Sequence, residues 1–168
     1  PLGYTDNPEI TYSVNFNFQW KGLDFTMLWI GADHVSRQLN GYFRDQFGST
    51  NTSALTQWVA DNSWTEANTD AILPRISFTN RVHNNRNSRA WMVDSRYVRL
   101  KNVEIGYTFT PKKRDAFFNY IRVYASGNNL LTFADFKGND PEAPGSGLDY
   151  GMRYPMTRLF NIGAQFNF

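Results

Sequence analysis

Asn161-Ile162-Gly163-Ala164-Gln165-Phe166-Asn167-Phe168 alternates polar or small residues with apolar ones up to the last position. Ile162, Ala164, Phe166 and Phe168 alternate with Asn161, Gly163, Gln165 and Asn167, and the last residue is aromatic. Successive side chains of an extended strand point to opposite faces, so this spacing gives one apolar and one polar face. A terminal strand of a water-soluble domain ordinarily frays into polar residues. Here the pattern holds to Phe168.

Four earlier segments carry the same alternation. Across 11–20, Tyr12, Val14, Phe16, Phe18 and Trp20 alternate with Thr11, Ser13, Asn15, Asn17 and Gln19. Lys21-Gly22 then reads as a tight hairpin turn, and 23–32 returns with Leu23, Phe25, Met27 and Trp29 on one face. A third strand covers about 96–110, where Val103, Ile105, Tyr107 and Phe109 oppose Asn102, Glu104, Gly106 and Thr108. Its first half, Val98 and Leu100 against Arg99 and Lys101, is out of phase, which predicts a bulge or a rise of the strand beyond the membrane. The fourth strand, 120–133, sets Ile121, Val123, Ala125, Leu131 and Phe133 against Arg122, Tyr124, Ser126 and Asn128. The fifth is 158–168. Each is about ten residues or longer, against ~5–6 for an ordinary strand and ~9–11 for a tilted strand crossing a bilayer. Turns at 21–22 and 111–119 are short, whereas 34–95 and 134–157 are long, the asymmetry of outer-membrane barrels. The long connection is read as polar loop with one short helix over 52–61.

Composition agrees. Aromatics make up 17% of 168 residues, and they favour a pleated, half-buried surface. No run approaches the ~18 apolar residues of a membrane helix, and barrel strands do not need one. A net charge of +2, without a basic run, gives no reason to expect nucleic acid. Zero cysteines excludes a disulfide scaffold or thiolate metal site. The fold expected is all-β: an antiparallel transmembrane β-barrel, represented by about five C-terminal strands. Five strands cannot enclose a lumen, for which ~8 is the practical minimum, and an open sheet with an apolar face and free edges aggregates. The chain is therefore expected to be one portion, 1–168, of a larger barrel, and no linker divides it.

Several motifs then resemble one family. Gly3-Tyr4-Thr5-Asp6-Asn7-Pro8-Glu9-Ile10-Thr11-Tyr12 looks like the entry to a late strand of SusC/RagA-like TonB-dependent transporters, as do Asn68-Thr69-Asp70-Ala71 and Pro74-Arg75. Ser95-Arg96-Tyr97-Val98-Arg99-Leu100-Lys101-Asn102-Val103 with Ile105-Gly106-Tyr107 is similar to that family's S-x-Y-L-R-L-K-N-V-x-L-G-Y strand. Ile121-Arg122-Val123-Tyr124-Ala125-Ser126-Gly127-Asn128-Asn129-Leu130, Lys137-Gly138-Asn139-Asp140-Pro141-Glu142 and Tyr154-Pro155-Met156-Thr157-Arg158 follow in the family's order. The resemblance implies a barrel of about 22 strands with an N-terminal plug and a TonB-binding segment, neither within this sequence. It also implies a SusD-like surface lipoprotein that closes over the barrel as a lid, and a glycan or peptide substrate. Insertion by the barrel-assembly machinery into the lipid bilayer of a Gram-negative outer membrane, multi-pass with a periplasmic C-terminus, is expected.

Catalytic constellations do not emerge, so no enzyme activity, cofactor or metal is expected. His34 and His83 both fall in loops, as do Asp135, Asp140, Glu142 and Asp149, whose spacing fits no EF-hand and suits turns. Loop aromatics Tyr42, Phe43, Trp58, Trp64 and Trp91 are candidates to stack on a ligand, with packing inside the loops or against the lid partner as the alternative. Arg75, with Arg81, Arg86 and Arg89, is the candidate for acidic ligand groups, or for pairing with loop acids or lipopolysaccharide-like phosphates. Trp20, Trp29, Phe109 and Tyr120 near strand ends suit an interfacial aromatic girdle. Asn161, Gly163, Phe166 and Phe168 form the barrel-insertion signal. The expected function is outer-membrane nutrient import. A passive porin-like segment and a soluble carbohydrate-binding β-sandwich are the competing readings.

Overall fold

The structure, a computed structural model, describes residues 3–44, 47, 55–79, 82–111, 117–142 and 154–168. In chain order its strands are β1 (Ile10–Trp20), β2 (Leu23–Asp33), β3 (Ser36–Gln38), β4 (Met92–Asp94), β5 (Tyr97–Phe109), β6 (Tyr120–Ala134) and β7 (Leu159–Asn167). One helix, α1 (Gln57–Asn62), lies in the long connection. The chain falls into two compact units, a sheet unit over 11–31, 98–133 and 157–168 and a loop unit over the rest.

In the sheet unit the long strands lie in chain order, β1-β2-β5-β6-β7. The five expected strands are all present, with ends within two residues of their predicted positions. Lys21 and Gly22 both hold positive φ, 46° and 87°, the signature of a two-residue type I′ turn whose twist matches the strands it joins. Gly22 carbonyl also accepts from Thr108 N at 2.7 Å, fixing the turn against β5. β6 and β7 are antiparallel, pairing Ile121 with Phe166, Val123 with Ala164 and Ala125 with Ile162 on one face. Arg122 opposite Gln165 and Ser126 opposite Asn161 occupy the other.

The phase slip expected in β5 is visible through its bonds. Glu104 bonds Arg122, while Arg99 bonds Thr132. Arg122 and Thr132 share a face of β6, because β2 puts Asp24 against Arg122 and Trp29 against Phe133 on opposite sides. Residues five apart on a regular strand face opposite ways. An extra residue between Arg99 and Glu104 restores the agreement.

The loop unit departs from the polar loop expected over 34–95. It has its own core: Leu39, Phe43, Val59, Leu73, Trp91 and Phe136 are buried together. Phe43, Trp58 and Phe136 meet edge to face, with centroids 4.9–5.9 Å apart, an arrangement aromatic quadrupoles favour. β3 and β4 pair antiparallel, Ser36 opposite Asp94 and Gln38 opposite Met92. The helix α1 within the predicted 52–61 begins at Gln57, where Thr56 caps it by accepting from Val59 N; positions 52–54 lie outside the described residues. Single apolar residues spread over a hundred positions build this core, and no window of sequence shows them as a periodic pattern.

Leu73→Ala removes a fully buried side chain from this small core and is expected to cost about 2–5 kcal/mol. Hydrogen exchange on the intact protein should then accelerate across 57–62 and 89–94, with the sheet amides unchanged.

Candidate functional site

The sheet presents two chemically opposite faces. On one, Tyr12, Val14, Phe16 and Phe18 of β1 continue through Ile105 and Tyr107 of β5 and Val123 of β6 to Ile162 and Phe166 of β7, all exposed; Ile162 is 91% exposed. A continuous apolar surface of this kind marks a lipid or protein contact. Aromatic rings gather at both of its ends. At the turn end Lys21 Nζ lies 5.0 Å from the Trp20 ring, Phe109 approaches Phe118 at 6.5 Å, and Phe117 meets Phe168 at 5.6 Å. Toward the opposite end Trp29 stacks on Phe133, 6.3 Å between centroids. Six residues at ~3.4 Å each separate Leu23, just after the turn, from Trp29, which places the two groups about 20 Å apart. Tyr120 leaves this set: the register puts it opposite Asn167, on the face of Arg122 and Tyr124. Its position near a strand end suggested a girdle role, but the alternation of β6 turns it the other way.

The second face carries charge. Arg122 donates through Nε to Asp24 at 3.0 Å, and through Nη2 to Asp24 at 2.5 Å and Glu104 at 2.6 Å. One guanidinium thereby ties β2, β5 and β6, and charge-assisted bonds of this kind are the strong ones. The same guanidinium lies over the Tyr124 ring at 5.0 Å. Tyr124 in turn sits across from Gly163, where a Cβ would come within 2.5 Å of the phenol. Gly163 therefore has a packing role in the last strand, beside the insertion signal expected from its sequence. Sequence alternation put these groups on one face; the cross-strand bonding among them needed the register.

In the loop unit the candidate ligand-binding aromatics separate into two groups. Phe43 and Trp91 are 1% and 2% exposed and sit inside the loop core, while Trp58 packs against that core partly buried. Phe43 and Trp91 therefore pack within the loops instead of stacking on a ligand, and Trp91 donates its Nε1 to Asn84 O at 2.6 Å. Arg44 lies over Trp91, donates to Asn87 and has its pKa lowered by burial. Tyr42 belongs to the turn Gly41–Phe43, and its side chain is outside the described residues.

Trp64 and Arg75 behave differently. Both border an open cleft of about 530 Å³, lined also by Thr65, Glu66, Ala67 and Ile76. A second cleft of about 830 Å³ adjoins it through Arg75 and Ile76, and His83 lines that one. His34 is elsewhere engaged, stacked on Tyr4 at 4.3 Å and 3.3 Å from Glu9. Of the loop acids, Asp135 pairs with Arg96 at 2.7 Å, and Asp140 accepts from the backbone of Glu142 and Met156. Asp149 and Arg81 lie outside the described residues.

Arg122→Ala leaves Asp24 and Glu104 without their cation and is expected to lower the stability of the assembled protein by about 1–3 kcal/mol. The temperature at which the detergent-purified protein loses its compact electrophoretic form measures this. Gly163→Val displaces the Tyr124 ring from β7, so less protein should reach the membrane fraction, read by quantitative immunoblot.

No family model matches the chain. Two curated relatives from Formosa agariphila, TonB-dependent receptor P3 and TonB-dependent receptor P26, are 31% and 30% identical over 176 and 178 residues. Each alignment takes in 96% of this chain but only 16% and 17% of the relative, so the chain spans about one sixth of their length. Among solved structures, the RagAB peptide importer in its open-open and closed-closed states matches with a TM-score of 0.72 and 25% identity. In both cases the match covers 98% of this chain and 18% of the solved one. The apolar face, the alternating strands and these matches agree: the chain belongs to the SusC/RagA-like TonB-dependent receptors and corresponds to a C-terminal portion of their β-barrel.

Proposed function

We propose that this chain supplies barrel wall and capture loops to an outer-membrane importer that takes up an oligosaccharide or oligopeptide in a TonB-dependent manner. The observation that carries the proposal is the sheet itself, apolar and exposed on one face and charged on the other, on strands long enough to cross a bilayer. The apolar face meets lipid. Trp20, with Lys21 beside it, and Phe109 lie at one interface and Trp29 at the other. Their separation of about 20 Å compares with an apolar band of ~25 Å in outer-membrane barrels. The face of Arg122 looks into the lumen, toward water and a plug supplied by other parts of the protein.

Orientation follows from connection length. The turns at 21–22 and 111–119 lie on the periplasmic side, with Phe168 and the C-terminus, and 34–95 and 134–157 lie outside the cell. Ligand is held between these loops and a SusD-like lipoprotein lid. Energy from the inner membrane, transmitted by TonB, then moves the plug and opens the path. No bond in the ligand is made or broken.

Cells carrying the receptor but lacking TonB are expected to retain surface binding of a fluorescent oligosaccharide or peptide ligand and to lose its accumulation in the periplasm. Accumulation that persists without TonB would assign the chain to a passive pore instead.

A further inference from the structure

The cleft at Trp64 is built on a rigid base. Ser63 and Leu73, each one or two residues from a cleft-lining side chain, are buried in the loop core at 1% and 2% exposure. Ser63 Oγ donates to Val59 O at 2.6 Å, Leu73 N donates to Asn62 O at 3.0 Å, and Trp64 N donates to Leu73 O at 3.0 Å. The far wall is a tight turn in which Thr65 and Asn68 exchange both backbone bonds, at 3.3 and 3.0 Å. Anchored this way through its backbone, Trp64 keeps 37% of its surface exposed.

Two opposite charges open into this cleft, Glu66 and Arg75, and both are exposed. Among the described residues neither has an ion-pair or hydrogen-bond partner. They also do not pair with each other, so each is available to a ligand. A neutral ligand filling the cleft would strip water from both charges and return no bond to either, which costs free energy. A ligand bearing only an anion or only a cation would satisfy one and bury the other unpaired. A ligand with a cationic group and a carboxylate separated by an apolar body satisfies both and lays its apolar part on the indole.

We propose that this cleft binds a zwitterionic peptide segment, with its amino or other cationic group at Glu66, its carboxylate at Arg75 and an apolar side chain against Trp64. The assignment rests on the importer reading above and narrows it, selecting peptide over neutral glycan at this position. A volume of about 530 Å³ lies within the ~300–1,000 Å³ typical of small-ligand pockets.

The test uses the intact receptor, purified in detergent and titrated calorimetrically with short alanine peptides containing one phenylalanine. Four probes are compared: free termini, N-acetylated, C-amidated, and a neutral maltooligosaccharide. Arg75→Ala is expected to weaken binding of the free-termini peptide about tenfold and to leave the C-amide unchanged; Glu66→Gln does the same for the free-termini peptide and the N-acetyl form. Arg75→Lys restores most of the loss, and Trp64→Ala weakens all peptide probes. Unchanged electrophoretic mobility of each variant confirms assembly. The proposal is overturned if the charge variants bind the free-termini peptide as the unaltered receptor does, or if the oligosaccharide competes for the cleft with equal affinity. TonB-dependent uptake is measured in parallel. Uptake that persists while the charge variants have no effect removes the peptide cleft and leaves the importer; loss of TonB dependence removes the importer itself.

Discussion

Backbone hydrogen bonding in a medium without water is the constraint on which the rest of this chain depends. Inside a bilayer every amide and carbonyl must find a partner within the protein, and a strand does so only through its neighbours. The meander β1-β2-β5-β6-β7 meets that requirement for its inner strands. The same requirement explains why the ladder is extended over strands of 9 to 15 residues, longer than water-soluble sheets ordinarily need. Side chains then divide by solvent: Val14, Ile105, Val123 and Ile162 face the apolar medium, and Asn15, Glu104, Arg122 and Asn161 face away from it.

With the faces fixed, each carries a separate task. On the polar face Asp24, Glu104 and Arg122 are bonded to one another across strands, so they add cohesion to the sheet. Arg122 does this for three strands at once. The long connections contribute in another way. They fold on a compact aromatic core that holds the turn 65–68 and the segment around Arg75 in place. The ligand surface proposed at Trp64, Glu66 and Arg75 stands on that support, and a supported surface loses little ordering entropy on binding.

Period-two alternation made the sheet legible in the sequence almost to the residue. Tyr12 through Trp20 and Asn161 through Phe168 can be read directly, because a strand buried or lipid-facing on one side repeats every second position. The slip near Arg99 was legible too, as a change of phase. The loop core was not, because Leu39, Val59, Leu73 and Phe136 come together from distant, unpatterned positions. That is why Phe43 and Trp91 looked like ligand-stacking residues: aromatic content in a polar stretch says nothing of which rings fold inward. Trp64 and Arg75 were named from residue type alone, and only the geometry adds Glu66 as their companion. Tyr120 shows the limit of position along a strand, since its face is decided by register.

The most direct test of the account is the solvent seen by each face. Single cysteines are placed at Val14, Ile105, Val123 and Ile162 and, separately, at Asn15 and Asn161, in a receptor whose other cysteines, if any, are replaced by serine; this chain itself has none. Spin labels at these sites in the receptor reconstituted in bilayers report collision with oxygen, which concentrates in lipid, and with a water-soluble nickel complex. Oxygen-dominated collision is expected at the first four positions, and nickel access or protection by protein at the other two. Nickel access at Val14, Ile105, Val123 and Ile162 would contradict this, placing that face in water and ending the membrane-barrel reading.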